Sequence, residues 1–105
     1  MRKIVLVTLA LGLLSTAASA ADLELVPGKQ YQLGDYFEQP YTLKNHTSHL
    51  IRRVHAECGM FNNNELVHTS GMSFRNVPPQ GELYDFVNSN RGEVTDVRCR
   101  LTDAE

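Results

Sequence analysis

The chain has 105 residues, a formal net charge of −2 and only two cysteines. This length suits one small domain, and the slight negative charge argues against nucleic acid or an anionic membrane surface as a partner.

The first twenty residues differ from the rest in composition. A basic start is followed by the uncharged apolar run Ile4–Leu14 and by the small residues Ala18-Ser19-Ala20. This order is typical of a secretory signal peptide over residues 1–20, and its apolar run is too short to cross a bilayer. We therefore expect a cut after Ala20 and export of residues 21–105 to the periplasm or the medium. The short basic start favours a bacterial source, and no later apolar run predicts a membrane span.

Two short strands are predicted at the start of the mature chain. Leu23 and Leu25 alternate with acidic residues, which favours a strand that Pro27-Gly28 ends. Lys29–Leu33 follows as a second short strand, and Gly34-Asp35 predicts a turn.

The pattern sharpens at Tyr41–Lys44, a predicted strand that is followed by the turn composition of Asn45–Ser48. Leu50–Phe61 is the longest strand candidate, with a strict period of two. One face is predicted to be apolar and the other charged. The apolar face carries Val54, Ala56, Cys58 and Met60, and the charged face carries Arg53, His55, Glu57 and Gly59.

Asn62–Asn64 predicts a tight turn, because asparagine tolerates the left-handed region. Leu66–Thr69 and Met72–Val77 are predicted strands on either side of Ser70-Gly71, where we expect a bulge or a break. Pro78–Gly81 is a predicted loop.

Two further strands complete the pattern. Leu83–Val87 has Tyr84 and Phe86 on one face, and Val97–Leu101 alternates apolar and charged residues. About seven short strands at intervals near ten residues, with no helical segment, predict an all-β antiparallel β-sandwich.

Cys58 and Cys99 lie on the apolar sides of their predicted strands. In a small exported domain an even number of cysteines indicates a disulfide, and closing about forty residues would stabilise the fold by roughly 4 kcal/mol. A metal thiolate pair or two free buried thiols are the alternatives. Metal thiolates usually occur as Cys-x-x-Cys with more ligands nearby, a pattern that this sequence lacks.

The succession of motifs resembles the FxLYD-like group of small immunoglobulin-like domains in exported bacterial proteins. The matching segments are Asn45-His46-Thr47, the strand Val54–Asn62, Leu66-Val67, the loop Val77–Glu82 and Phe86. Cys58, Met60, Phe61 and Asn62 stand where that group has Phe, Leu, Tyr and Asp. The resemblance implies an immunoglobulin-like sandwich and no catalytic residues.

The charged strand faces suggest a binding surface. Arg53 and His55 on the long strand, and Arg98 and Arg100 on the last, are predicted to point away from the core. If the two strands are neighbours, Glu57 would lie beside an arginine in a cross-strand ladder. Such a face is also typical of a solvated surface that prevents edge pairing, so an arginine patch for an acidic partner is the second interpretation.

His46 and His49 are three residues apart around a turn, where both rings could reach one Zn or Cu ion. Two solvated loop imidazoles are the simpler interpretation. Asn45-His46-Thr47 is also a formal glycosylation sequon, which we interpret as turn chemistry.

Catalytic patterns are not evident, because no serine has a nucleophile-elbow context. We therefore expect a non-catalytic exported protein, without a cofactor, that binds another protein. The alternative is a periplasmic metal-binding protein that uses His46 and His49.

Overall fold

Strands form all the regular structure in the computed structural model, which describes residues 7–8, 18–19 and 22–105. The predicted cut after Ala20 and most of the predicted signal peptide lie outside these residues. Among the described residues, no helix has the length and apolarity needed to cross a bilayer. In chain order the strands are β1 (Val7–Thr8), β2 (Ala18–Ser19), β3 (Leu23–Pro27), β4 (Tyr31–Leu33), β5 (Tyr36–Asn45), β6 (Ile51–Asn62), β7 (Glu65–Val77), β8 (Glu82–Ser89) and β9 (Asp96–Ala104).

The strands form two antiparallel sheets. Sheet A has the order β1-β2-β3-β5-β4, with β8 also paired to β5, and sheet B has the order β7-β6-β9. Strand β5 is the centre of sheet A, because β3 and β4 lie end to end along one of its edges while β8 pairs along the other.

Inward-facing residues of both sheets form one apolar core. The alternation predicted for the long strand is present in β6, whose apolar face is buried and whose charged face is not. The core residues of the two central strands are Phe37, Tyr41 and Leu43 from β5 and Val54, Ala56, Cys58 and Met60 from β6. The predicted fold class, an all-β sandwich of about seven strands, is confirmed by β3 to β9. The immunoglobulin-like assignment stays a prediction.

Cys58 and Cys99 are joined by a disulfide, the pairing that the sequence predicted. The two residues lie directly opposite each other on β6 and β9, with their Cα atoms 4.0 Å apart. Both side chains are buried. The bond therefore lies inside the sandwich and links neighbouring strands of sheet B.

Strand β7 corrects one expectation, because it continues through Ser70-Gly71 without a break. Gly71 pairs with Glu57 in the ladder, and the irregularity between β6 and β7 lies instead at Met60/Phe61. A glycine fits here because the His55 ring lies over it, and a Cβ atom would come within 3.3 Å of His55 Cε1.

Strand β5 begins at Tyr36, well before the predicted start at Tyr41. The added segment contains Pro40, and proline cannot donate to a ladder. On the β3/β4 edge, however, Pro40 lies between the two paired segments, so no ladder bond needs its missing N–H. Its carbonyl oxygen accepts a hydrogen bond from the Gly28 N–H at 2.8 Å.

The predicted turn after β6 is present. Asn63 and Asn64 have φ angles of 50° and 72°, so two asparagines in the left-handed region connect β6 directly to β7.

Asn45 anchors the turn after β5. Its buried Nδ2 donates to the carbonyl oxygens of His49, Val77 and Pro78, at 3.0, 3.1 and 3.0 Å. Its Oδ1 accepts from the Thr47 N–H and hydroxyl. This side chain ties the β5–β6 loop to the β7–β8 loop, in agreement with the interpretation of Asn45-His46-Thr47 as turn chemistry.

Candidate functional site

The outward surface of sheet B, here called the arginine face, holds all four residues proposed from the sequence. Arg53 and His55 lie on β6, and Arg98 and Arg100 lie on β9. Because β6 and β9 are neighbours, the structure brings the two pairs onto one surface.

A depression of about 780 Å³ crosses the arginine face, and we call it the glycine trough. Gly59 on β6 and Gly71 on β7 lie in its floor, while His55, Arg98 and Arg100 are among the side chains around it. Arg53 lies outside the trough, in an adjoining depression of about 410 Å³ that His55 also lines. Three of the four proposed residues therefore share one site.

Gly59 makes room for an aromatic ring. A Cβ atom at Gly59 would lie 2.9 Å from Cε1 of Phe61 and 3.3 Å from Cδ1 of Leu66. The absence of a side chain lets the Phe61 ring lean over the backbone beside the trough. Gly71 makes room for the His55 ring in the same way, because a Cβ atom there would lie 3.3 Å from Cε1 of His55.

Arg98 is held in place from three directions. Its Nε donates to Asp96 Oδ2 at 2.8 Å, and its Nη2 donates to Asn64 Oδ1 at 3.1 Å. Its Cζ lies 4.2 Å from the centroid of the Phe61 ring, within cation–π distance. The side chain is still 28% exposed. A preorganised guanidinium thus lies beside the trough with further N–H groups available to a ligand.

Arg100 forms the cross-strand ladder that the sequence suggested. Its Nη2 donates to Glu57 Oε1 at 3.1 Å, and the two residues are directly opposed on β9 and β6. Both side chains are more than half exposed, at 63% and 53%. A surface pair of this kind contributes only about 0–1 kcal/mol, so an external carboxylate can replace Glu57 at little cost.

His55 takes part in a polar contact at the edge of the trough. Its Nδ1 lies 3.1 Å from the Ser73 hydroxyl oxygen. Because Ser73 is directly opposite on β7, the imidazole is oriented across the sheet rather than along it.

Arg75 is a site residue that the sequence analysis did not single out. It lies opposite Arg53, and with Arg52 it lines a third depression of about 310 Å³. Arg53 forms an ion pair with Glu105. The alternation of β7 could have placed Arg75 on an outward face, but only the register between strands places it beside Arg53.

The histidines of the alternative metal site are separated from this face. His46 Nε2 lies 3.0 Å from Glu24 Oε1, in an exposed contact on the side of sheet A. In the part of the chain that the structure describes, no three His, Cys, Asp or Glu side chains converge to hold a metal ion. His46 and His49 therefore gain no support as ligands.

Comparisons with protein-family models, with curated proteins and with solved structures find no match for this chain.

Proposed function

We propose that this protein is a non-catalytic exported binding module, and that its arginine face engages an acidic segment of another protein. The observation that carries the proposal is the position of Arg98, a fixed and partly exposed guanidinium at the glycine trough. Bidentate guanidinium contacts are well suited to carboxylates, and an arginine that is already oriented loses less freedom on binding.

The shape of the trough favours a protein segment over a small molecule. It is an open depression on a sheet surface, whereas small-molecule sites usually enclose most of their ligand. The Phe61 ring and Leu66 lie over Gly59, and the His55 ring lies over Gly71, so a bound segment would pack on these side chains.

The electrostatics of the trough agree with an acidic ligand. Arg100 lies two residues from Arg98 on β9, and its partner among the described residues is Glu57, in an exposed pair. Two guanidinium groups on one strand would attract neighbouring carboxylates of an extended acidic segment.

Export is supported by two features. The order of residues in positions 1–20 is that of a signal peptide, and the Cys58–Cys99 disulfide is compatible with an oxidising compartment.

A titration with a charged probe tests the proposal. The exported, oxidised protein, labelled with ¹⁵N, is titrated with a short glutamate-rich peptide and with the same peptide carrying glutamine. We expect amide shifts around Gly59, Gly71 and Arg100 with the glutamate peptide alone. Arg100→Ala should weaken binding about tenfold, the loss of one charge-assisted contact.

Arg91→Ala is the matched control, since Arg91 is an exposed arginine in the β8–β9 loop. It should bind the peptide as the unaltered protein does. Shifts that are scattered over the surface, or equal losses in both variants, would refute a specific site.

A further inference from the structure

The outward surface of sheet A, here called the aromatic face, exposes an unusual share of large apolar side chains. Tyr84 is 73% exposed, Leu33 67%, Tyr31 51% and Phe86 47%. Among the described residues only Leu50 and Leu66 are comparable, and neither lies on this sheet. Contiguous exposed apolar patches on small domains often mark interaction sites.

The register of sheet A brings these residues together. Phe86 on β8 lies opposite Pro40 on β5, and Tyr84 lies opposite Thr42. On the other edge of β5, Tyr31 lies opposite Glu38. The Tyr31 and Tyr36 rings meet edge to face, with centroids 6.2 Å apart. The aromatic groups thus extend across β8, β5 and β4.

Carboxylates accompany the aromatic rings. Glu38 Oε1 accepts a hydrogen bond from the Tyr36 hydroxyl at 2.6 Å, and Glu82 Oε1 accepts one from the Tyr84 hydroxyl at 3.0 Å. In the described part of the chain, neither glutamate has a lysine or arginine nitrogen within 4.0 Å. Among the described residues, these two carboxylates therefore have tyrosine hydroxyl partners and no ion pair.

One lysine, Lys44, also lies on the aromatic face. Lys44 lies opposite Glu82 on one side and Glu24 on the other, yet it forms no ion pair with either. Arg53, Arg75, Arg98 and Arg100 lie on sheet B, on the opposite side of the sandwich. The two outward surfaces of the domain therefore differ in chemistry: one carries arginines and glycines, the other aromatic rings and glutamates.

We propose that the aromatic face is a second docking surface, and that its occupant is a cationic segment of a partner protein. Lysine or arginine side chains would lie over the rings of Tyr84 and Phe86 and pair with Glu82 and Glu38. Exposed cation–π contacts and charge complementarity both favour such a ligand. This proposal does not depend on the arginine face, since the two surfaces lie on different sheets.

The hydrogen bonds of the tyrosines agree with this assignment. Donation to the Glu82 carboxylate raises the pKa of Tyr84 above its ordinary value, and donation to Glu38 does the same for Tyr36. The two hydrogen bonds hold each hydroxyl at its carboxylate, so ring and negative charge lie side by side on this face.

The test uses an arginine-rich peptide and its citrulline counterpart, which keeps the shape of arginine without the charge. Each is titrated into the ¹⁵N-labelled, oxidised protein. With the arginine peptide we expect shifts concentrated on β8 and β5 around Tyr84, Phe86 and Glu38. Tyr84→Ala and Glu82→Gln should each weaken binding about fivefold to tenfold, and citrulline should abolish it.

Matched controls keep this test specific. Leu50→Ala removes an apolar side chain as exposed as Phe86, and Glu65→Gln removes an exposed carboxylate from sheet B. Both should bind the arginine peptide normally. A melting temperature for each variant shows whether it folds.

Three outcomes would overturn the proposal. The first is an arginine peptide that shifts all surface carboxylates alike, and the second is equal losses in the control variants. The third is self-association of the unliganded protein in sedimentation experiments that Tyr84→Ala abolishes, because the occupant would then be a second copy of the chain. Failure of the glutamate peptide at the glycine trough would leave this proposal unaffected.

Discussion

Arg53 and Arg75 lie directly opposite each other on β6 and β7, so two like charges face the same side of sheet B. Arg53 is compensated by an ion pair with Glu105, and no such pair is present for Arg75 among the described residues. Like charges at directly opposed positions destabilise a sheet. We therefore expect the opposed arginines to lower the stability of sheet B.

Replacing Arg75 tests this interpretation. Arg75→Thr removes the repulsion and introduces a residue that favours strands, so the free energy of unfolding should rise by about 0.2–1 kcal/mol. Urea unfolding of the oxidised protein measures the change. A loss of stability would show that Arg75 contributes to the fold.

The disulfide should supply a large part of the stability. Cys58 and Cys99 are 41 residues apart in sequence, and the double variant Cys58→Ser/Cys99→Ser should lower the free energy of unfolding by about 2–5 kcal/mol. Urea unfolding gives the value, and peptide mapping without reductant checks the pairing. Two free thiols in protein kept oxidised, or a melting temperature that reductant leaves unchanged, would contradict the account.

Asn45 should be among the most sensitive polar positions. Asn45→Ala leaves the buried carbonyl oxygen of Val77 without the amide that it bonds, and it releases both loops that the side chain joins. We expect a destabilisation of about 2–4 kcal/mol, measured by urea unfolding. Asn90→Ala, in the exposed β8–β9 loop, is the control and should change stability by less than about 0.5 kcal/mol. Similar values for both variants would show that the Asn45 hydrogen bonds are not important.

The raised pKa of Tyr84 should depend on one carboxylate. Ionising the phenol would break its hydrogen bond to Glu82 and place two negative charges side by side, so the neutral form is favoured. Glu82→Gln should lower the pKa of Tyr84 toward its ordinary value and leave that of Tyr36 raised. Titration of the tyrosine ring carbons by NMR measures both. An unchanged Tyr84 pKa would mean that the hydroxyl does not donate to Glu82.

The sequence predicted the faces of strands better than their partners. The period of two in Leu50–Phe61 correctly separated the buried Cys58 from the exposed Glu57, because alternation is a local property. The pairing of Gly71 with Glu57 depends on register, which long-range packing determines. Gly71, which suggested a strand break, therefore lies in the continuous strand β7.

In sheet A, too, the local sequence did not show how the strands pack. Tyr84 and Phe86 share a face, as predicted, but nothing local indicates whether that face is buried. In the structure it is exposed, while Val87 from the other face is buried in the core.

The disulfide shows the same difference between local and long-range information. The sequence indicated that Cys58 and Cys99 lie on the apolar sides of their strands. It did not indicate that the two strands are neighbours in one sheet, because that depends on the strand order. The bridge of antibody domains, in contrast, joins the two sheets.

The most direct test of the proposed binding function is photo-crosslinking in cells that produce the protein. A photo-reactive amino acid is placed at Thr69, which lines the glycine trough, and at Asn90 as a control outside it. The account predicts one discrete adduct at position 69, with an acidic peptide at the crosslinked site, and its loss in the Arg98→Ala/Arg100→Ala variant. No adduct at position 69, or the same adducts at positions 69 and 90, would contradict it.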